Sequence, residues 1–142
     1  AEQVIQQLPG NHTLVRFSGI YGPGRTRMIN QVLAGKGRPA APKQWSNRIH
    51  SDDCAGVLTH LIGLLSEGEM LQPLYLASDS EPVTQHDLRR WLAIQLGVEL
   101  EEEAINRGPI RRCSNRRLLR SGYQFKYPSY REGYRSLLSD QV

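Results

Sequence analysis

Three segments of the chain carry residue types able to do chemistry. The first is Arg16-Phe-Ser-Gly-Ile-Tyr-Gly-Pro-Gly24, where a run of strand formers breaks into three glycines and a proline. In open α/β sheets ligands sit beyond the carboxyl ends of strands, and glycine lets the backbone approach a ligand closely. The same spacing also makes a tight strand-to-helix turn with no ligand. It is neither the G-x-x-x-x-G-K-[ST] phosphate cradle nor a G-x-G-x-x-G opening a helix. The second segment, Asn47-Arg-Ile-His-Ser-Asp-Asp53, delivers His50 to a helix start crowned by two carboxylates. His50 with Asp52 or Asp53 can form an acid/base pair. The alternative is structural, with both aspartates capping the helix and His50 bound to a loop carbonyl. The missing G-x-S-x-G elbow argues against a Ser-His-Asp hydrolase. The third segment is basic: from Arg107 to Arg135, nine Arg or Lys residues stand against Glu132 alone. Such a cluster binds phosphates, and the interleaved Tyr123, Phe125, Tyr127 and Tyr130 suit base stacking. A solvated face with Tyr130 and Tyr134 in the core is the other reading.

The elements that must position these residues follow from periodicity and caps. Val4, Ile5 and Leu8 share a helical face before Pro9-Gly10-Asn11, His12 to Phe17 reads as a strand, and Ser18 to Arg25 reads as a loop. A helix follows through Met28, Ile29, Val32 and Leu33, then an irregular stretch from Lys36 to Lys43, and a short strand from Trp45 to His50. Ser51 reads as the N-cap of the clearest amphipathic helix, with Cys54, Val57, Leu58, Leu61, Ile62 and Leu65 as its stripe. Leu74 to Ala77 is a strand. Thr84, with Asp87 three residues on, caps a helix whose buried stripe is Leu88, Trp91, Leu92 and Leu96. After an acidic patch from Glu99 to Glu103, Ser114 caps a short helix. Ser129 and Glu132 box the start of a last helix with Tyr130, Tyr134, Leu137 and Leu138 on one face. Strands alternating with helices predict an α/β fold, with about three short strands, thin for an independent α/β domain.

At 142 residues the chain is one domain or a large part of one, and a 39% hydrophobic fraction excludes general disorder. No apolar run is long enough to span a bilayer, so no membrane partner is expected. Cys54 and Cys113 stand far apart, with no zinc-like spacing, and predict free thiols in a reducing, cytoplasmic setting; no metal site is expected. Ala1 is not Met, and the chain opens in a helical pattern without an N-cap. That pattern predicts a portion of a larger protein.

Taken in order, these motifs resemble a known family. Arg16 to Gly24 is similar to the R-x-x-x-x-Y-G-P segment of the extended short-chain dehydrogenase/reductases, the NAD(P)-dependent epimerase/dehydratase group. Asn47 to Ala55 resembles their I-H-V-D-D-x-A segment, and Leu74 to Thr84 their Y-N-x-x-S-x-x-P-V-T strand and cap. Ser114 to Gly122 resembles their late S-x-x-x-x-x-x-L-G-[WY] element. The resemblance covers nearly the whole chain. It implies the C-terminal part of a Rossmann-like fold: late parallel strands plus a small substrate-binding lobe, with residues 1–142 as a single C-terminal portion and the N-terminal cofactor-binding half outside it.

By position, Ser18, Gly19, Ile20 and Tyr21 would face the NAD or NADP nicotinamide, and Tyr21, Gly22, Pro23, Asn47 and Arg48 the substrate. His50 and Asp53 would brace the loop-to-helix junction. The family's catalytic Tyr-x-x-x-Lys pair has no match, because no Tyr of this chain is followed by Lys four residues on. The isolated chain is therefore expected to be inactive and to bind no dinucleotide. Its expected partners are the missing half, a small-molecule substrate such as a sugar or nucleotide sugar, and a second copy in a homodimer. Sugar-nucleotide members have Asn where Gly19 stands and a phosphate-binding Arg where Ser46 stands, so the shorter, atypical members fit better. A basic nucleic-acid module and a degenerate structural or regulatory relative are the alternatives.

Overall fold

The computed structural model describes residues 2–104 and 111–139. In chain order these form α1 (Glu2–Gln7), β1 (Leu14–Phe17), β2 (Gly19–Tyr21), α2 (Arg27–Leu33), β3 (Lys36–Gly37), β4 (Trp45–Ser46), β5 (Arg48–His50), α3 (Ser51–Ser66), β6 (Leu74–Ala77), β7 (Val83–Thr84), α4 (Gln85–Leu96), β8 (Glu101–Glu102), α5 (Arg116–Arg120) and α6 (Tyr130–Ser139). The extended segment 14–21 changes partner midway. β1 lies parallel to β6, with Leu14 opposite Leu74 and Phe17 opposite Ala77. Beyond Ser18 the same segment becomes β2 and lies parallel to β5, with Tyr21 opposite His50. β3 pairs parallel with β8, and β4 pairs antiparallel with β7.

Pairing across long sequence separations corrects three local expectations. The loop expected over Ser18 to Arg25 contains β2, because β5 supplies a partner that Gly19 to Tyr21 do not reveal locally. The irregular stretch from Lys36 to Lys43 begins as a strand, paired with Glu101 and Glu102 of the acidic patch. The single strand over Trp45 to His50 is two strands, divided at Asn47, with partners of opposite direction.

The caps are mostly where short-range chemistry places them. Thr84 Oγ1 accepts from the Asp87 N–H at 3.1 Å. The Ser129 N–H donates to Glu132 Oε2 at 3.1 Å, and Ser129 Oγ accepts from the Arg131 N–H at 3.2 Å, completing a capping box. Two caps differ from expectation by one residue. α3 is capped by His50, whose Nδ1 accepts from the Asp52 N–H at 3.0 Å, and Ser51 is already helical. α5 has Asn115 rather than Ser114 at its N-cap.

Two cores result. Ile29, Val32, Leu88, Leu92, Tyr134 and Leu137 join α2, α4 and α6 with Tyr21 of β2. Ile49, Val57, Leu61, Tyr75, Ala77 and Leu118 join β5 and β6 with α3 and α5, and Cys54 packs at the edge of this second core. Only part of the expected α3 stripe is inside. Val57 and Leu61 are buried, but Leu58, Ile62 and Leu65 are 45%, 65% and 55% exposed. The helix meets the sheet along its 53, 57, 61 flank, and no described element covers the next one. The exposed Val4, Ile5 and Leu8 of the first segment are likewise uncovered.

Candidate functional site

The partner change at Ser18 opens the molecule. The Ser18 N–H donates to Ala77 O at 3.0 Å, and the Gly19 N–H donates to Asn47 O at 3.1 Å, so the junction is pinned from two sides. Ser18, Gly19, Ile20 and Tyr21 line one wall of a cavity of about 620 Å³. Asn47 and Arg48 line it from the β4–β5 break. Gly22 and Pro23 stand outside this wall. Gly22 makes the turn below it at φ +153°, where a Cβ would lie 2.2 Å from Ser51 Oγ, and Pro23 is exposed.

Asn47 uses both ends of its amide on one strap of chain. Its Nδ2 donates to Arg111 O at 2.9 Å, and its Oδ1 accepts from the Cys113 N–H at 2.8 Å. Arg48 is 3% exposed and stands 3.6 Å from Asp79 Oδ2. It also donates to Ser46 Oγ at 3.2 Å and to Ser46 O, and its guanidinium lies over the Tyr130 ring at 5.5 Å. Burial pushes the Asp79 carboxyl up to about 7, while Arg48 pulls it down. The Tyr21 ring stacks on Tyr134 at 4.4 Å and meets His50 edge-on at 5.4 Å. Its buried hydroxyl has no hydrogen-bond partner among the described residues, and burial raises its pKa.

The His50 ring caps α3 and packs against Tyr127 at 4.1 Å. Burial lowers its pKa. Among the described residues it makes no hydrogen bond to the carboxylate of Asp52 or Asp53, so the acid/base pairing is not assembled, and its Nδ1 takes the Asp52 backbone N–H rather than the loop carbonyl that the structural alternative assigned to it. Asp53 is completely buried and receives three donors: Tyr123 OH at 2.6 Å and the N–H groups of Lys126 and Tyr127 at 2.8 and 2.9 Å. It staples residues 123–127 to the start of α3. Asp52 pairs outside with Lys126 at 3.1 Å. These contacts also occupy the aromatics of the basic third. Tyr123 and Phe125 pack on the second core, Tyr127 lies on His50, and Tyr130 is in the first core. Arg107 lies outside the described residues.

The cavity is bordered by residues that no local pattern singles out: Arg38, Gln31, Gln85 and Arg89. Arg89 is 4% exposed although it looks like its exposed neighbour Arg90 in sequence. The available signal is its position one turn from Gln85 and Ala93, beside the Leu88/Leu92 stripe. Cys54 and Cys113 are both free and half-buried. Among the described residues, no group of three or more His, Cys, Asp or Glu could hold a metal, and no helix is long and apolar enough to cross a membrane.

Parallel strand pairs flanked by helices, with a cleft where the strands end, define part of a Rossmann-like NAD-binding fold. No family model and no curated protein matches the chain. Solved structures do. A Methylobacillus flagellatus protein classed as an NAD-dependent epimerase/dehydratase is 40% identical, with a TM-score of 0.81, over 99% of this chain and 50% of its own. A conserved Silicibacter pomeroyi protein of unknown function is 30% identical, with a TM-score of 0.78, over 99% of this chain and 53% of its own. A human epimerase family protein solved with NADPH shares the fold at 20% identity and a TM-score of 0.64, over 89% of this chain and 49% of its own. Over nearly its whole length the chain is similar to NAD-dependent epimerase/dehydratase family proteins, and it spans about half the length of the relatives it matches.

Proposed function

We propose that this chain is the substrate-side half of an NAD(P)-dependent epimerase, dehydratase or reductase. The single observation that carries the reading is the partner change at Ser18, which opens the 620 Å³ cavity on a segment with 40% identity to an epimerase/dehydratase relative over nearly the whole chain. Gly19 contributes no side chain to the wall, and Ser18 and Ile20 add no charge there, which suits the flat edge of a nicotinamide. These three residues with Tyr21 would hold that end of the cofactor, and Asn47 and Arg48 would close the substrate side. When bound, the dinucleotide supplies hydride transfer; the chain's residues supply position and shielding from water. The proton-transfer Tyr and Lys would come from a cofactor-binding half, so the chain by itself is inactive. The substrate is a small molecule, and the wall departs from sugar-nucleotide members at Gly19 and Ser46.

Complementation tests the reading. This chain is mixed with the cofactor-binding half of the Methylobacillus flagellatus relative, and NADH binding is followed by nicotinamide fluorescence. Each half alone should leave the signal weak or short-lived, and the mixture should bind. A mixture no better than the relative's half alone contradicts the reading, as does tight NADH binding by this chain alone.

A further inference from the structure

The cavity wall carries a charge imbalance that a nicotinamide does not use. Five arginines line it, Arg25, Arg27, Arg38, Arg48 and Arg89, and no Asp or Glu does. Arg48 has Asp79 behind it at 3.6 Å. Arg38, nearly buried, has among the described residues only the half-exposed Glu103 at 3.7 Å as a carboxylate partner. Arg89 is buried and has no carboxylate within ion-pair distance among the described residues. Its guanidinium is instead held by three neutral acceptors: Gln31 Oε1 at 2.7 Å from Nη2, Lys36 O at 2.9 Å from Nη1 and Gln85 Oε1 at 3.3 Å from Nε. Arg38 also donates to Gly37 O at 2.9 Å. Burial first, and then the neighbouring Arg38, lower the pKa of Arg89 to about 10, so the two cations feel each other.

Burying a cation without a counter-charge is costly, and setting a second one beside it adds repulsion. The neutral acceptors fix the fork of Arg89 in one pose without cancelling its charge. The fold therefore maintains a rigid, desolvated and under-compensated pair of guanidinium groups at the edge of a cavity, with exposed Arg27 close enough to add to the field. Gln31 and Gln85 turn their oxygens to Arg89, which leaves their amide N–H groups as further donors on the wall.

We propose that Arg38 and Arg89, with Arg27 at the rim, form an anion site for a phosphoryl group carried by the substrate. The proposal rests on the reading of this cavity as the substrate site. A phosphoryl dianion matches the charge of the proposed site, since among the described residues Arg27, Arg38 and Arg89 have Glu103 as their one ion-pair carboxylate, and its oxygens accept from planar guanidinium forks. A monocarboxylate supplies one negative charge where two are called for, and a dicarboxylate such as malonate carries two charges but splits them between separated groups instead of placing three oxygens on one centre. The site lies at neither position 19 nor position 46, and so is separate from the phosphate-binding position that the sequence lacks.

The test is calorimetric titration of this chain with inorganic phosphate, pyrophosphate and malonate at constant ionic strength. Trp45, on the cavity wall, gives a fluorescence readout in parallel. Saturable binding of phosphate or pyrophosphate is expected, with malonate weaker by about tenfold. Arg89→Gln and Arg38→Gln should each weaken it by about tenfold, Arg27→Gln by about threefold, and Arg120→Gln, an exposed residue off the cavity, should leave it unchanged. If Arg89→Gln fails to fold by circular dichroism, Arg38→Gln and Arg27→Gln carry the comparison. The proposal is overturned by absent saturation, by equal binding in the Arg38 and Arg27 variants, or by malonate binding as tightly as phosphate. No dinucleotide enters this titration. Phosphate binding with failed NADH complementation overturns only the cofactor reading, and the reverse result overturns only the anion site.

Discussion

Asp79 is 1% exposed, and burial holds its carboxyl up to about 7 despite Arg48 at 3.6 Å. An acid whose folded-state value lies above its unfolded value of about 3.9 binds its proton more tightly in the folded chain. Its contribution to stability is therefore greatest in acid and is lost as pH rises through about 7. His50 runs the other way: burial lowers its pKa, so the unfolded chain takes up the proton first and stability falls in acid below about 6.5. Comparing the native chain with Asp79→Asn cancels the histidine. Denaturant melts at pH 5 and pH 8 should show the native chain losing stability relative to the variant on going to pH 8; a pH-independent difference would contradict the assignment. Asp53 poses a simpler case. Asp53→Ala leaves two backbone N–H groups and the Tyr123 hydroxyl without their acceptor, and should cost about 3 kcal/mol or more by urea denaturation. Tyr21→Phe removes a hydroxyl that has no hydrogen-bond partner among the described residues, and should change stability by less than about 1 kcal/mol.

At the scale of elements, α6 docks against β2 through a missing side chain. A Cβ on Gly133 would lie 1.8 Å from the Tyr21 hydroxyl and 2.7 Å from its ring carbon Cζ. Tyr21 is held between Tyr134 and His50 and has little room to move. Gly133→Ala should destabilise the chain by about 2 kcal/mol in thermal melts although alanine favours helices, and adding Tyr21→Phe should recover part of the loss. α3 offers the contrasting case of one helix with two unlike apolar flanks. Val57→Ala should cost about 2 kcal/mol, whereas Ile62→Lys, 65% exposed in the native chain, should cost less than about 0.5 kcal/mol. Equal costs at the two positions would mean that a further element covers the outer flank.

For the whole molecule, the structures that lie between the two cores include, among the described residues, the 14–21 segment with its β5 partner, the Arg48–Asp79 pair and the 123–127 segment held on Asp53. The cavity lies against this seam, so its walls come from both sides. The apolar side chains outside both cores, Leu58, Ile62 and Leu65 with Val4 and Ile5, predict that the chain by itself associates. Light scattering should give an apparent mass that rises with concentration above 16.1 kDa, and Ile62→Lys should reduce it. A constant monomer mass would contradict this.

The sequence by itself determined the elements whose causes lie within one helical turn. The Thr84–Asp87 and Ser129–Glu132 caps, the Leu88/Leu92 stripe and the inward Tyr130 and Tyr134 are all legible because each depends on residues three or four apart. The motif order also led to the family, since each motif is contiguous. Only the tertiary structure decided that Gly19 to Tyr21 is a strand, that half of the α3 stripe stays outside, and that Arg89 is buried while Arg90 is exposed. Those outcomes depend on partners tens of residues away: β5 for Gly19, Gln31 and Lys36 for Arg89, and Asp79 for Arg48. A chain pattern records which residues can be inside, but the charge a cavity wall presents is set by which of them the packing brings together.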